Sequence, residues 1–101
     1  MEIVVSRDAP ARLRAPDAFD RFSVVVGPDV GPDLQRALEG IARIEGGTHA
    51  WVFPMAVRKL AGRANDPAWN EAFNAMLAFA AGRGWLASDG AIRAHIEVLE
   101  G

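Results

Sequence analysis

Two short runs of β-branched residues near the amino terminus predict the first two strands. Ile3 to Val5 is followed by polar residues and a proline, and Phe22 to Val26 has a similar composition. Pro10 and Pro16 interrupt any helical period between the two runs. Residues 9–20 are therefore expected to form an irregular connection.

The next part of the chain has the spacing of an amphipathic helix. Apolar residues recur at i, i+3, i+4 and i+7, namely Leu34, Ala37, Leu38 and Ile41. Pro32 suits the first turn of this helix, and the Gly46-Gly47 pair is expected to end it. The run from Thr48 to Phe53 then predicts a third strand with apolar or aromatic side chains on both faces.

Two further helices are predicted from the residues at their ends. Pro54 begins a short helix that extends to Ala61, and Gly62 suits the position after its last residue. Asp66 can accept a hydrogen bond from a free amide at the start of a longer helix, which should run to about Arg83. The buried stripe of this longer helix is expected to consist of Trp69, Phe73, Met76, Leu77 and Ala80.

A strict alternation of apolar and ionisable residues predicts the last strand. The apolar positions are Ile92, Ala94, Ile96 and Val98, and the ionisable positions are Arg93, His95 and Glu97. Burying the ionisable set beneath helices would be costly, so the apolar set is expected to face the helices.

These elements, in the order ββαβααβ, predict a single α+β domain that extends over residues 1–101. The sheet is expected to contain about four strands, with the helices on one face. The step from the second strand through the first helix to the third strand is long enough for a parallel crossover, so a mixed sheet is predicted. One helical layer leaves the other face of the sheet uncovered.

The uncovered face is the candidate binding surface. Its expected residues are His49, Trp51 and Phe53 from the third strand and Arg93, His95 and Glu97 from the last strand. The third strand is oriented in this way because its smaller side chains, Ala50 and Val52 among them, fit better beneath closely packed helices. Both histidines of the chain would then share one surface with two large aromatic side chains.

This arrangement predicts a small soluble binding or accessory protein that associates through its open sheet face, most simply as a two-fold homodimer. Trp51 would anchor that interface, because a large aromatic side chain on a solvated face gains most from being covered. In a third, simpler interpretation, Trp51 and Phe53 belong to the core and His49 is a hydrogen-bonded, partly buried imidazole.

The alternative function is a small isomerase or lyase that needs no cofactor. His49 or His95 would act as general acid or base in an aromatic-lined pocket that binds a small aromatic or carboxylate ligand. The two functions differ in whether the imidazoles converge on a cavity or lie flat against a partner chain.

Composition excludes several other classes of site. The chain has no cysteine, which removes disulfides, thiolate metal sites and a cysteine nucleophile. The formal net charge of −2 offers no global attraction to nucleic acid or anionic lipid. No secretory signal or stretch long enough for a membrane span is evident, so a cytoplasmic protein is expected.

Short motifs add little to this prediction. His95-Ile96-Glu97 has the His-x-Glu spelling of zinc deaminases but lacks their cysteine pair, so no metal site is predicted. A site of His49, His95 and Glu97 is geometrically conceivable, but pairing of Glu97 with Arg93 is the simpler interpretation. The helix expected after Asp66 carries no basic residue before Arg83, which argues against DNA binding.

Overall fold

The computed structural model describes residues 1–99, so Glu100 and Gly101, which the predicted domain includes, lie outside the described residues. The strands are β1 (Glu2–Val5), β2 (Arg12–Arg14), β3 (Ser23–Val26), β4 (Ala42–Glu45), β5 (His49–Val52) and β6 (Ile92–Val98). The helices are α1 (Leu34–Ala37), α2 (Pro54–Ala61) and α3 (Pro67–Gly82), and a short 3-10 turn at Gly31–Asp33 precedes α1.

The strands form one mixed sheet in the order β2-β1-β3-β6-β5-β4. The three central strands β1, β3 and β6 are parallel, whereas β2 pairs with β1 and β5 pairs with β6 in antiparallel fashion. The protein is therefore an α+β domain with a mixed sheet, as predicted.

The predicted number of about four strands is wrong, because the described sheet has six. One missed strand is β2, which lies in the segment expected to be irregular. Its three residues alternate between the two faces, with half-buried Leu13 paired with Ile3 of the core and the two arginines exposed. A short strand at the sheet edge can lie between prolines, because few of its amides are needed for the ladder.

The other missed strand, β4, occupies residues that were predicted to be helical. Helix α1 ends at Ala37, and the chain then alternates between buried Ala42, half-buried Ile44 and exposed neighbours. Gly46 and Gly47 adopt φ values of 63° and 78° in the hairpin loop that joins β4 to β5. The glycine pair therefore reverses a strand rather than ending a helix, and the crossover from β3 leads to β4 instead of β5.

The second half of the chain follows the prediction closely. Helix α2 extends to Ala61, and Gly62 follows it with a left-handed φ of 66°. Asp66 caps α3 by accepting a hydrogen bond from the amide of Trp69 at 3.1 Å. β6 has the predicted bounds, and its burial alternates as predicted from Ile92 to Glu97, but Val98 is exposed.

Residues of all three helices pack in one apolar core with alternate residues of the sheet. Phe73 of α3 and Val57 of α2 are completely buried there, and Trp69 stacks on Phe73 with ring centroids 5.0 Å apart. The sheet contributes alternate residues of every strand, namely Ile3, Val5, Leu13, Val24, Val26, Ala42, Ile44, Ala50, Val52, Ile92, Ala94 and Ile96. Among residues 1–99, no polar or charged residue is buried. The burial of residues 49–52 and 92–97 thus agrees with the predicted facing, whereas Val98, which was also expected to face the helices, is 66% exposed.

Candidate functional site

The open face of the sheet carries both imidazoles side by side. His49 of β5 lies directly opposite His95 of β6, and His95 is in turn opposite Ser23 of β3. Glu45 of β4 completes this row on the other side of His49. The row crosses four strands, so the backbone ladder fixes the relative positions of these residues.

A cleft lies beside this row because β6 begins before its neighbour β3. Ser23, the first residue of β3, pairs with His95, so the start of β6 has no partner in β3. The segment after α3 pairs there instead, with the amide of Arg93 donating to the carbonyl oxygen of Trp85 at 2.9 Å. The cleft lies between this segment and the residues that lead into β3.

The cleft has a volume of about 620 Å³ and is lined by side chains from both sides of the sheet. Its lining consists of Phe19, Asp20, Arg21, Phe22, His49, Met76, Phe79, Ala80, Trp85, Ile92, Arg93 and His95. The apolar side chains of α3 and the other aromatic residues of the lining therefore lie next to the ionisable side chains of β5 and β6.

An exposed aromatic pair forms one wall of the cleft. The side chains of Phe79 and Trp85 remain 59% and 41% exposed, and their rings meet edge to face with centroids 6.1 Å apart. The guanidinium carbon of Arg83 lies 5.2 Å from the Phe79 ring centroid and 5.8 Å from that of Trp85. Large exposed apolar groups at a concave site are a common feature of ligand-binding surfaces.

The two imidazoles have different hydrogen-bonding environments. Their ring centroids are 5.6 Å apart in an edge-to-face arrangement. His49 Nδ1 lies 3.0 Å from Thr48 Oγ1 and 3.5 Å from Arg93 Nη2. A guanidinium can only donate, so a hydrogen bond from Arg93 would make Nδ1 the acceptor and would put the hydrogen of the neutral His49 ring on Nε2. Within residues 1–99, neither ring nitrogen of His95 has a hydrogen-bond partner.

Positive charge predominates among the ionised groups of the cleft. Arg21 and Arg93 contribute guanidinium groups, and Asp20 contributes the one carboxylate in the lining. Arg83 adds a further positive charge against the aromatic wall. This local excess contrasts with the chain's formal net charge of −2, and it favours a ligand with an anionic group.

The structure brings three of the six predicted site residues, His49, Arg93 and His95, to the cleft. Trp51 faces the same side of the sheet, opposite Arg93, but does not line the cleft. Its Nε1 donates to Glu45 Oε2 at 2.9 Å, and the guanidinium carbon of Arg43 lies 5.9 Å from its ring centroid. Trp51 is half-buried outside the apolar core, so the interpretation that made it a core residue is wrong.

The remaining two predicted residues lie apart from the cleft. Glu97 is exposed on the open face, opposite Val25 of β3. Phe53 follows the last paired residue of β5 and precedes α2, so the strand register assigns it to neither face. The six residues therefore do not form one continuous site.

The sequence prediction missed the residues that contribute most of the apolar lining. Phe19 and Phe22 adjoin or lie within the segment that was expected to be irregular, and Trp85 follows the end of α3. The sequence did contain a signal for Phe79, because this residue lies outside the predicted apolar stripe of α3. A large apolar residue on the exposed side of a helix indicates a binding surface.

Neither a metal centre nor a membrane span is found in the part of the chain that the structure describes. No three side chains of the types His, Cys, Asp or Glu in residues 1–99 are grouped closely enough to bind one metal ion. The geometry therefore does not support the conceivable site of His49, His95 and Glu97. No helix within these residues combines the length and apolar character needed to cross a bilayer.

Comparisons with known proteins do not assign the chain to a family. No protein-family model matches the chain, and no match was found among curated proteins or solved structures. The function is therefore inferred from the chemistry of the cleft itself.

Proposed function

We propose that this protein binds a small molecule with an aromatic body and a carboxylate group in the cleft between α3 and the start of β6. The observation that carries this proposal is the lining itself, in which four aromatic rings adjoin two guanidinium groups and both imidazoles. Such a combination of apolar walls and a few convergent polar groups is typical of small-molecule sites.

The dimensions of the cleft support a ligand of this size. Its volume of about 620 Å³ lies within the range of roughly 300 to 1,000 Å³ usual for small-molecule pockets. An aromatic ring would find apolar partners in Phe79 and Trp85, whose large exposed areas would gain from being covered. Binding would thus cover two of the exposed large apolar side chains of the protein.

The charged groups favour a carboxylate at the sheet end of the cleft. Arg93 and His49 lie together there, with 3.5 Å between Arg93 Nη2 and His49 Nδ1. A guanidinium can pair with a carboxylate through two parallel hydrogen bonds, which gives both affinity and orientation. Arg21 supports the same preference by adding positive charge to the lining.

Association through the open face is less well supported by the geometry. Several of its charged groups are already paired within the chain, including Arg14 with Glu2 at 2.8 Å. The indole N–H of Trp51 is satisfied by Glu45. A face of paired charges loses hydration on association with little new pairing in return. The homodimer therefore stays a prediction.

Fluorescence titration with 3-phenylpropionate tests the proposed binding. Trp85 lines the cleft, so binding should change its emission. The Trp85→Phe variant keeps an aromatic wall and should lose the emission change while retaining affinity by calorimetry. Its two remaining tryptophans report that the variant is folded. Calorimetry that detects no binding to the parent protein would refute the proposal.

A matched pair of arginine variants tests the role of charge. Arg93→Gln should weaken 3-phenylpropionate binding by about tenfold or more, since a hydrogen bond to a charged group contributes roughly 1.5 to 3 kcal/mol. Arg12→Gln makes the same change on the same sheet face outside the cleft and should leave affinity unaltered. The neutral amide 3-phenylpropionamide should bind both variants equally. Equal weakening by the two variants would contradict the proposed carboxylate site.

A further inference from the structure

We infer that the cleft catalyses keto–enol proton transfer on an aromatic 2-oxo carboxylate, with His95 as the general base. This inference rests on the proposed function, because it requires that an aromatic carboxylate binds beside Arg93. It goes further by assigning a reaction and different roles to the two imidazoles. The assignment follows from their unequal hydrogen bonding and from the position of Arg93 beside His49.

His95 has the properties of a base that exchanges protons with a ligand. It lines the cleft, and neither of its ring nitrogens has a hydrogen-bond partner within residues 1–99. A neutral imidazole can also accept a proton from a ligand as a general base. A base of this kind in contact with a ligand typically contributes about 10² to 10⁴-fold to a proton-transfer rate.

His49 is arranged as a donor rather than as a base. Thr48 and Arg93 both lie near its Nδ1, and when they donate to it, Nε2 carries the hydrogen of the neutral ring. An N–H group of this kind can donate to an oxygen on which negative charge develops, which stabilises an enolate. The neighbouring guanidinium of Arg93 favours the same charge.

The proximity of Arg93 and His49 indicates the substrate class. In a 2-oxo acid the carbonyl oxygen is adjacent to the carboxylate, so two neighbouring donors can hold both groups of one molecule. The separation of 3.5 Å between Arg93 Nη2 and His49 Nδ1 makes the two side chains neighbours, and Nε2, the proposed donor of His49, is the other nitrogen of the same ring. The aromatic substituent of the acid would extend toward Phe79 and Trp85.

The proposed step conserves atoms and electrons without a further reactant. His95 removes a proton from the carbon next to the carbonyl group, and the C–H electron pair forms the new C=C bond. The carbonyl π pair moves onto oxygen, which accepts a hydrogen bond from His49 Nε2 and takes a proton from solvent. The proton that His95 removed passes from His95 to solvent. The product is the enol of the same acid.

Proton exchange of phenylpyruvate in deuterated buffer, followed by NMR, tests the inference. The parent protein should accelerate deuterium incorporation at C3 above the rate in buffer. His95→Ala should remove most of the acceleration, by about 10² to 10⁴-fold. It should still bind 3-phenylpropionate with an affinity within a few fold of the parent. Arg12→Gln, a variant outside the cleft, should exchange at the parent rate.

The outcomes separate this inference from the proposed function. Failure of the parent to bind 3-phenylpropionate would overturn both. Binding without any acceleration of exchange would overturn the catalytic role and leave ligand binding intact. Equal acceleration by the parent and His95→Ala would show that His95 is not the base, which would also overturn the inference.

Discussion

The two faces of the sheet are built from the same strands and differ in almost every physical respect. On the helix-covered face, Phe73 and Val57 are fully buried against apolar strand residues. The open face presents ionisable side chains around the buried Val4 and Val25, and Arg14 and Glu2 form an ion pair there. Because side chains alternate along a strand, the residues of one face can form the apolar core while the residues of the other face bind a ligand.

The difference predicts how each face responds to substitution. Removing atoms from a closely packed core costs both the transfer free energy and the residual cavity. Substitutions on a solvated face usually change stability by about 0.5 kcal/mol or less, so they can alter binding without unfolding the protein. Stability and ligand binding should therefore be separable by choosing the face.

Phe73→Ala should have the largest effect on the free energy of unfolding. Phe73 is fully buried and stacks on Trp69, so the change should cost about 3 to 5 kcal/mol. Urea unfolding followed by circular dichroism measures this loss. A midpoint equal to that of the parent would show that the helical layer does not depend on Phe73.

Asp66→Ala should weaken the helical layer at the start of α3. The variant leaves the amide of Trp69 without its side-chain acceptor, which should cost about 0.5 to 2 kcal/mol. Asp66→Asn is the matched control, because asparagine caps helices about as well as aspartate. An equal loss in both variants would point to the ion pair with Arg63 instead of the cap.

Trp51→Glu should alter the open face with a smaller cost of about 1 kcal/mol, mainly from the lost hydrogen bond to Glu45. Circular dichroism should be preserved. Analytical ultracentrifugation then tests the sequence-based homodimer, which requires that the parent is dimeric and the variant monomeric. A parent that sediments as a monomer at high concentration would contradict the homodimer. Trp51→Gln controls for the introduced charge.

Asp89→Asn should have the smallest effect, and that effect should depend on pH. The hydrogen bond from Arg43 at 2.6 Å, followed by that from the amide of Ala91, lowers the pKa of Asp89 below its ordinary 3.8. A lowered folded-state pKa stabilises the fold above that ordinary value, and the contribution is lost as pH falls through the folded-state pKa.

Urea midpoints of the parent and Asp89→Asn should therefore differ slightly near neutral pH and converge as pH falls through the lowered folded-state pKa of Asp89. The difference should also shrink in high salt, because the pair is exposed. A difference that persists unchanged at low pH would mean that the ionised carboxylate is not responsible.

The accuracy of the sequence prediction depended on how local the controlling interactions were. Asp66 and Pro67 fix the start of α3 through contacts within one turn. In β6, the alternation of apolar and ionisable residues in the sequence indicates which side chains face the core. Residues 42–45 were misassigned because their spacing continues a helical pattern that begins at Leu34. Pairing with β5 decided between helix and strand, and that pairing lies outside any local window.

By itself, the sequence determined the α+β class, the second and third helices, and the placement of both histidines on the face opposite the helices. Only the tertiary structure decided that His49, Arg93 and His95 meet Phe19, Phe79 and Trp85 in one cleft. That cleft depends on the register of β6 against β3 and on the pairing of Trp85 with Arg93. Strand register is fixed by contacts between residues that are distant in sequence. A local pattern of apolar and polar positions carries no information about the energies of those contacts.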